Sequence, residues 1–366
     1  MHDSVHFRIY QIGLNRFDYT QGCSNQFDGV FLVGHHQILF IHGSPVMRLY
    51  RYYEGEALKL AISDGSRTIN PLETLQSVRE VSSAEATFLS DTTAFIRGEA
   101  HALALAREGL GVPGGRTLKI EELRLAAPIS PTTILCSGSN YHDHNLEKAN
   151  TEVSGKEPEF FIKTSDCVIG PNEQILHSEG LTKKLDGETE LAVVIGKPGR
   201  NIPLENALDH VFGYTIINDL TARDLQVRFR ADGSVWYEVG RGKVFDCSAP
   251  LGPCIVTSDE IGDPQSLALE TRVNGELRQS SNTSNMIFSV AQLVHFFSLS
   301  MTLKPGIVLI TGTPGGTAWS CDTSLGGKWT GGNGIVPAKG YLSDGDIFDA
   351  EIEKIGVLSN TVATVA

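Results

Sequence analysis

The stretch DGETELAVVIG (186–196) and, shortly downstream, GYTIIND (213–219) each carry an unbroken apolar run with carboxylates at one end. Runs this short, bounded by turn-forming residues, read as strands buried on both faces. In an extended chain Glu188 and Glu190 are two positions apart and project from the same face. Asp219 closes the second run. An isolated E-x-E is ordinarily an exposed strand end with two solvated glutamates. Here a third carboxylate ends the next strand, and clustered carboxylates at a core boundary repel one another unless a cation lies between them. Three carboxylates from two strand ends make an all-oxygen site suited to Mg²⁺, Mn²⁺ or Ca²⁺. Three protein ligands would leave an octahedral ion with positions for water and substrate.

Working outward, the chain from Ile129 onward is a succession of short apolar runs punctuated by Gly and Pro: LGPCIVT (251–257), LALETRVNGEL (267–277) and GIVLITGTP (306–314). Helical patterning is expected at PLENALDHVF (203–212) and at NMIFSVAQLVHFFSLS (285–300), where Met286, Val290, Leu293 and Phe297 recur at helix spacing. Many short strands with few helices predict a β-rich, mixed α/β fold, rolled or barrel-like. Residues 1–125 have a different texture. β-like runs such as GVFLVGHHQILFIHG (29–43) precede an expected helix over 82–109, which Ser82 or Ser83 would cap and Gly109 would end. GVPGGRT (111–117) reads as a linker or tight turn. A smaller N-terminal α+β domain, 1–125, is therefore expected to precede a catalytic domain, 126–366.

The 366 residues carry a formal net charge of −13 with no offsetting Lys/Arg cluster, so nucleic acid and anionic membranes are not expected partners. An anionic substrate is still allowed, because a bound cation inverts the local field. Six cysteines (Cys23, Cys136, Cys167, Cys247, Cys254 and Cys321) are scattered without a C-x-x-C pair, which predicts reduced thiols and neither a disulfide framework nor a zinc site. The first residues hold no apolar run of signal-peptide length, and no stretch approaches a membrane span. A cytoplasmic protein is the expectation.

Seven motifs then occur in order: NYHDHNLE (140–147), FIK (161–163), ETEL (188–191), NDLTARDLQ (218–226), GK (242–243), NGELRQ (274–279) and TGTP (311–314). Their order resembles the fumarylacetoacetate hydrolase superfamily, over roughly residue 137 to the C-terminus. The resemblance implies a pseudo-barrel β roll, a homodimer, and Mg²⁺ or Mn²⁺ held by Glu188, Glu190 and Asp219. Two departures stand out. Gly306 is followed by Ile307 where relatives have Gly-Asp, and GGTAWSCDTSLGGKWTGGNG (315–334) is longer than the short loop expected there.

The remaining chemical residues follow from these positions. His144 and Glu147, three apart, meet on a helical turn. A carboxylate beside an imidazole fixes its tautomer and suits it to general-base work, although a chance His-x-x-Glu is ordinarily a surface pair. In the relatives this pair activates water. Lys243 would stabilise enolate charge beside the metal. Arg223 and Gln226 share a face with Asp219 if a helical turn follows the strand, and suit a carboxylate and a carbonyl; an ion pair with Asp224 or another acid is the rival reading for Arg223. Thr313 could offer a hydroxyl and a backbone N–H to a substrate carboxylate, with Gly312 allowing close backbone approach. Tyr141 joins the expected substrate contacts by motif position, and Lys163 is expected to bind substrate or to pair with a metal ligand. Gln279 and Thr283 are expected to support the roll from behind. The expected reaction is hydrolytic C–C cleavage of a 2,4-dioxo acid of the acylpyruvate type. Dehydration of a 2-oxo-3-deoxy sugar acid, and decarboxylation or isomerisation of a 2-oxo diacid, are the alternatives on the same scaffold.

Overall fold

A computed structural model describes residues 47–148, 157–332 and 334–365. The expected β-like run at 29–43 and Cys23 lie outside these residues.

Thr189–Ile195 is buried at every position, as its apolar composition requires. It pairs antiparallel with Val211–Asn218 on one side and with Val308–Ile310 on the other. Leu191, Val193 and Ile195 enter one hydrophobic cluster, while Ala192 and Val194 enter another. The strand is thus covered on both faces, which is why its sequence does not alternate.

Around this pair an eleven-stranded sheet runs as an open path from Thr68–Ile69 at one edge to Glu159–Lys163 at the other. A five-stranded sheet, including Ala268–Val273, Ile347–Ile352 and Gly356–Val365, packs through Leu269, Phe348, Ala350 and Leu358 into the same cluster as Leu191 and Val193. The β-rich, mixed α/β class expected from the sequence is what forms. The hairpin of Ala268–Val273 with Glu276–Asn282 turns at Asn274–Gly275, both with positive φ, the conformation that Asn-Gly turns supply.

The second cluster is covered by helices of the N-terminal part. The expected helix over 82–109 is divided. Ser82 caps Ser83–Ser90 in a capping box with Glu85. Asp91 then leaves the helix, and its carboxylate accepts from Thr93 and Ala94 N–H, starting Thr92–Arg97. A third segment, Glu99–Leu110, follows after Gly98 and encloses Gly109. The division is the competition of a short acidic side chain for backbone N–H groups. At 285–300 the regular α-helix begins at Val290, where Ser289 and Gln292 form a capping box, and 203–212 holds a 3₁₀ helix, Leu204–His210.

The boundary expected near residue 125 falls within the large sheet. Arg48–Glu54 pairs with Ala249–Thr257, with Leu49 opposite Ile255, and Arg124–Ala126 pairs with Arg48–Glu54 in turn. The described residues all fall within one compact unit. Among the described residues no helix is long and apolar enough to cross a membrane.

Candidate metal centre and acid–base site

The antiparallel register sets Thr189 opposite Asn218, so Glu188 and Glu190 at the start of one strand meet Asp219 at the end of its neighbour. Asp219 N–H donates to Glu188 O at 2.9 Å, and Asn218 Oδ1 accepts from Glu188 N–H at 2.9 Å. One carboxylate oxygen from each of Glu188, Glu190 and Asp219 lies within 4.8 Å of the others, and all three residues are buried.

Three cations surround the triad. Lys243 Nζ donates to Glu188 Oε2 at 2.7 Å and to Asp219 Oδ2 at 2.6 Å. Arg223 is held by Asp186 Oδ2 at 2.8 Å from its Nε, bonds Glu188 Oε1 through Nη2, and reaches Gln226 Oε1 at 3.0 Å through Nη1. The ion-pair reading of Arg223 is therefore realised, with Asp186 and Glu188 as the acids; Asp224 is engaged instead by Thr182 and Lys183. Lys163 is fully buried behind Asp219, with Nζ 3.0 Å from Oδ1. Its hydrogens serve the carbonyls of Leu220 and Lys243 and the hydroxyl of Ser248, and Asp219 Oδ1 accepts no hydrogen bond.

That buried oxygen, paired in charge with Lys163 but accepting no hydrogen bond, is the test of metal fit. A carboxylate oxygen without a donor is costly in a protein interior, and a cation in the cradle would satisfy it. The charge balance agrees. Asp186, Glu188, Glu190 and Asp219 face Lys163, Arg223 and Lys243, leaving one net negative charge. Burial alone would raise the Glu188 carboxyl, but Lys243 and Arg223 hold it down at about 2. Glu190 goes the other way. Burial, then the charges of Asp219 and Glu188, push its carboxyl well above the usual range, as expected of a ligand awaiting a cation. The set of three hard oxygens suits Mg²⁺ or Mn²⁺.

The stretch TGTPGGTAW organises carboxylates. It follows Val308–Ile310, runs beside the metal strand, and spends its N–H groups on acids. Gly312 N–H donates to Glu190 Oε2 at 2.6 Å, Gly316 N–H to Glu147 Oε1 at 2.7 Å, and Ala318 and Trp319 N–H to Asp186, each at 3.0 Å. Gly316 has φ +106°, and a Cβ there would sit 2.0 Å from Arg278 O, so only glycine fits. Gly312 thus positions the Glu190 carboxylate, and the Thr313 hydroxyl is occupied by Thr189 O and Gln279 Nε2.

His144 lies on the short helix His142–Leu146, with Nδ1 3.0 Å from Glu147 Oε2. Because the ionised carboxylate only accepts, Nδ1 carries the hydrogen and Nε2 is left as the base. Both residues are buried. Glu188, Glu190, Asp219, His144, Arg223 and Gln226 line one cavity, together with Lys243, Gly312 and Thr313. Tyr141 is fully buried in the hydrophobic core and is not among the lining residues; nor is Lys163.

Two participants had not been singled out from the sequence. Asp186 anchors Arg223, and its place two residues before Glu188, in the spacing D-x-E-x-E, was the available signal. Trp319 packs edge-on against His144, ring centroids 5.8 Å apart, and lies 5.7 Å from the Arg223 guanidinium. It falls in the unusually long stretch after TGTP, where sequence spacing offered no partner.

Residues 133–363 match the model of the fumarylacetoacetate (FAA) hydrolase C-terminal family. The chain is 41% identical over 251 residues to an oxaloacetate tautomerase of Bacillus subtilis (strain 168), covering 68% of this chain and 76% of that one. It is 41% identical over 246 residues to a mitochondrial oxaloacetate tautomerase of Xenopus laevis, covering 67% and 70%. Among solved structures, a fumarylacetoacetate hydrolase from Exiguobacterium antarcticum superposes with TM-score 0.65 at 34% identity, covering 87% of this chain and all of that one. A maleylpyruvate hydrolase from Sphingobium sp. SYK-6, in complex with manganese(II) and pyruvate, gives TM-score 0.63 at 25% identity, covering 87% and 100%. The chain belongs to the fumarylacetoacetate hydrolase family.

Proposed function

We propose that this member of the fumarylacetoacetate hydrolase family is a divalent-metal enzyme that interconverts the keto and enol forms of a small dicarboxylic 2-oxo acid, with oxaloacetate the first candidate. The observation that carries the reading is that His144, held by the buried Glu147, lines the same cavity as the carboxylate triad, which supports a role as proton carrier to an oxo acid bound there. The tautomerase names of two relatives at 41% identity support the choice of reaction.

Mg²⁺ or Mn²⁺ in the Glu188–Glu190–Asp219 cradle would polarise the 2-oxo group and take up charge developing on its oxygen. His144 Nε2 removes a proton from C3; the C–H pair becomes the C2=C3 bond. The same imidazolium returns the proton to the 2-oxygen, completing an isomerisation with no net gain or loss of atoms. Glu147 holds Nδ1–H throughout and balances the imidazolium charge. Lys243, fixed by two carboxylates, keeps positive charge beside the reacting oxygen. A divalent cation would turn the net charge of the buried cluster from one negative to one positive, which favours an anionic substrate.

Hydrolytic cleavage of an acylpyruvate, the reaction expected from the sequence and its family resemblance, would turn the same dyad onto water. The manganese–pyruvate complex of a hydrolase with this fold supports it as the second reading. A homodimer, which the family resemblance implies, is proposed as the working form.

Enol oxaloacetate is the test substrate, in protein loaded with Mg²⁺ or Mn²⁺ and in protein stripped by chelator. Metal-dependent loss of the enol absorbance, with deuterium entering C3 in D₂O, is expected. If the enol is ignored while acetylpyruvate is split, with one ¹⁸O from labelled water in the released acid, the tautomerase reading falls and the hydrolase replaces it.

A further inference from the structure

Resting on that reading, a question remains about the second carboxylate of a dicarboxylic substrate. Three cationic side chains line the cavity: Arg223, Lys243 and Lys148. The first two are already ion-paired. Arg223 gives three of its five N–H donors to Asp186, Glu188 and Gln226, and Lys243 gives two of its three to Glu188 and Asp219. Their charge is largely balanced by buried carboxylates, and drawing either one away from them would be costly in the interior.

Lys148 differs. Its ammonium donates to a neutral group, the Ser139 hydroxyl, at 2.5 Å, and among the described residues it forms no ion pair. Its backbone is well placed to hold it there. It directly follows Glu147, forms an isolated bridge with Gly327, and is flanked by a hydrogen bond from Lys328 N–H to Glu147 O at 2.8 Å. The side chain is thus tied to the same segment as the dyad. Glu159 lines the cavity too and favours the charged ammonium, but burial outweighs it and pulls the Lys148 pKa below the ordinary lysine range. A partly buried ammonium lacking a counter-charge gains most from an incoming carboxylate.

We propose that Lys148 is the specificity-determining residue of this pocket, receiving the distal carboxylate of a dicarboxylic 2-oxo acid whose other end faces the Glu188–Glu190–Asp219 cradle. Lys148 would then select diacids over monoacids, and the Ser139 hydroxyl would hold the ammonium in place between turnovers.

The matched pair for the test is oxaloacetate and 2-oxobutanoate, in which a methyl group replaces the distal carboxylate. Binding of each, and of oxalate as a probe of the metal cradle alone, is measured by calorimetry on Mg²⁺-loaded wild type, Lys148→Met and Lys148→Arg. The wild type should prefer oxaloacetate by roughly tenfold or more, the usual worth of a hydrogen bond between charged groups. Lys148→Met should lose that preference while oxalate and 2-oxobutanoate stay within about twofold, and Lys148→Arg should recover part of it. The proposal is overturned if Lys148→Met keeps the preference, or if it weakens oxalate and oxaloacetate alike, which would mean a structural role. Should the wild type bind Mg²⁺ and oxalate but neither 2-oxo acid, the proposed function itself fails, and the Lys148 assignment with it.

Discussion

Replacing Glu147 with Gln changes one oxygen to an amide nitrogen in a site where both oxygens must accept. Oε2 takes the His144 Nδ1–H at 3.0 Å, and Oε1 takes the Gly316 N–H at 2.7 Å. Glu147 is 1% exposed, so water cannot stand in for either. The glutamine has two choices. If its oxygen faces Gly316, its NH₂ faces Nδ1, which must then act as the acceptor; the ring proton moves to Nε2 and the base is lost. If its oxygen faces His144, two N–H donors confront each other at Gly316, and the loop that carries Gly312 and Trp319 must shift. Loss of a positioned general base costs about 10²–10⁴-fold in turnover. That corresponds to ~2.7–5.5 kcal/mol of barrier at 1.36 kcal/mol per tenfold. An unsatisfied buried donor adds a stability cost of about 1–3 kcal/mol. The assay is the rate of enol-oxaloacetate conversion in Mg²⁺-loaded protein, with deuterium incorporation at C3 and calorimetric oxalate binding alongside. Turnover should collapse while oxalate binding persists, because neither residue of the dyad is offered as a metal ligand. Turnover in Glu147→Gln equal to wild type, in a protein that melts normally, refutes the tautomer argument.

The other expectations concern the cradle and its supports. Glu190→Gln should abolish activity and weaken cation binding with the fold retained, as judged by circular dichroism and metal titration; full activity in this variant or in chelator-stripped protein would rule out the metal site. Because the Glu190 carboxyl is raised in the cation-free protein, its contribution to stability is present below the ordinary carboxylate range and is lost as pH rises through the raised value. Added Mg²⁺ should remove that decline and release a proton, both seen by thermal melting across pH and by calorimetry in buffers of different ionisation enthalpy, and both absent in Glu190→Gln. Trp319→Ala removes a buried ring that touches His144 and lies over Arg223, at a cost of about 3–5 kcal/mol in the melting transition and with a fall in kcat, whereas Trp319→Phe should keep most of both. Gly316→Ala places a Cβ against Arg278 O and should cost about 1–3 kcal/mol while slowing turnover more than it weakens Mg²⁺ binding.

Unbroken apolar runs in the sequence were enough to locate the two strands that carry the acids, because a strand covered on both faces leaves a local signature: LAVVI and II have no polar interruption, and the acids sit where the runs begin or end. Glu188, Glu190 and Asp219 were legible for that reason, and His144 with Glu147 from their place in the ordered motifs, since the i and i+3 spacing alone reads as a surface pair. The helix expected over 82–109 was legible in its capping box and not in its interior, where Asp91 turned its carboxylate onto the backbone and started a new helix. Partners separated by long stretches of chain left no such trace. That Arg223 belongs to Asp186 and Glu188, that Lys163 backs Asp219, that Gly312 and Gly316 serve acids on two other segments, and that Trp319 lies against His144 are matters of strand register and loop path. Local sequence determines which residues can form a strand or cap a helix, since those choices depend on neighbours within a few positions. Which buried charge meets which counter-charge is settled only when the sheet brings distant segments together, because the energy of each pair exists only at contact and in an interior shielded from water.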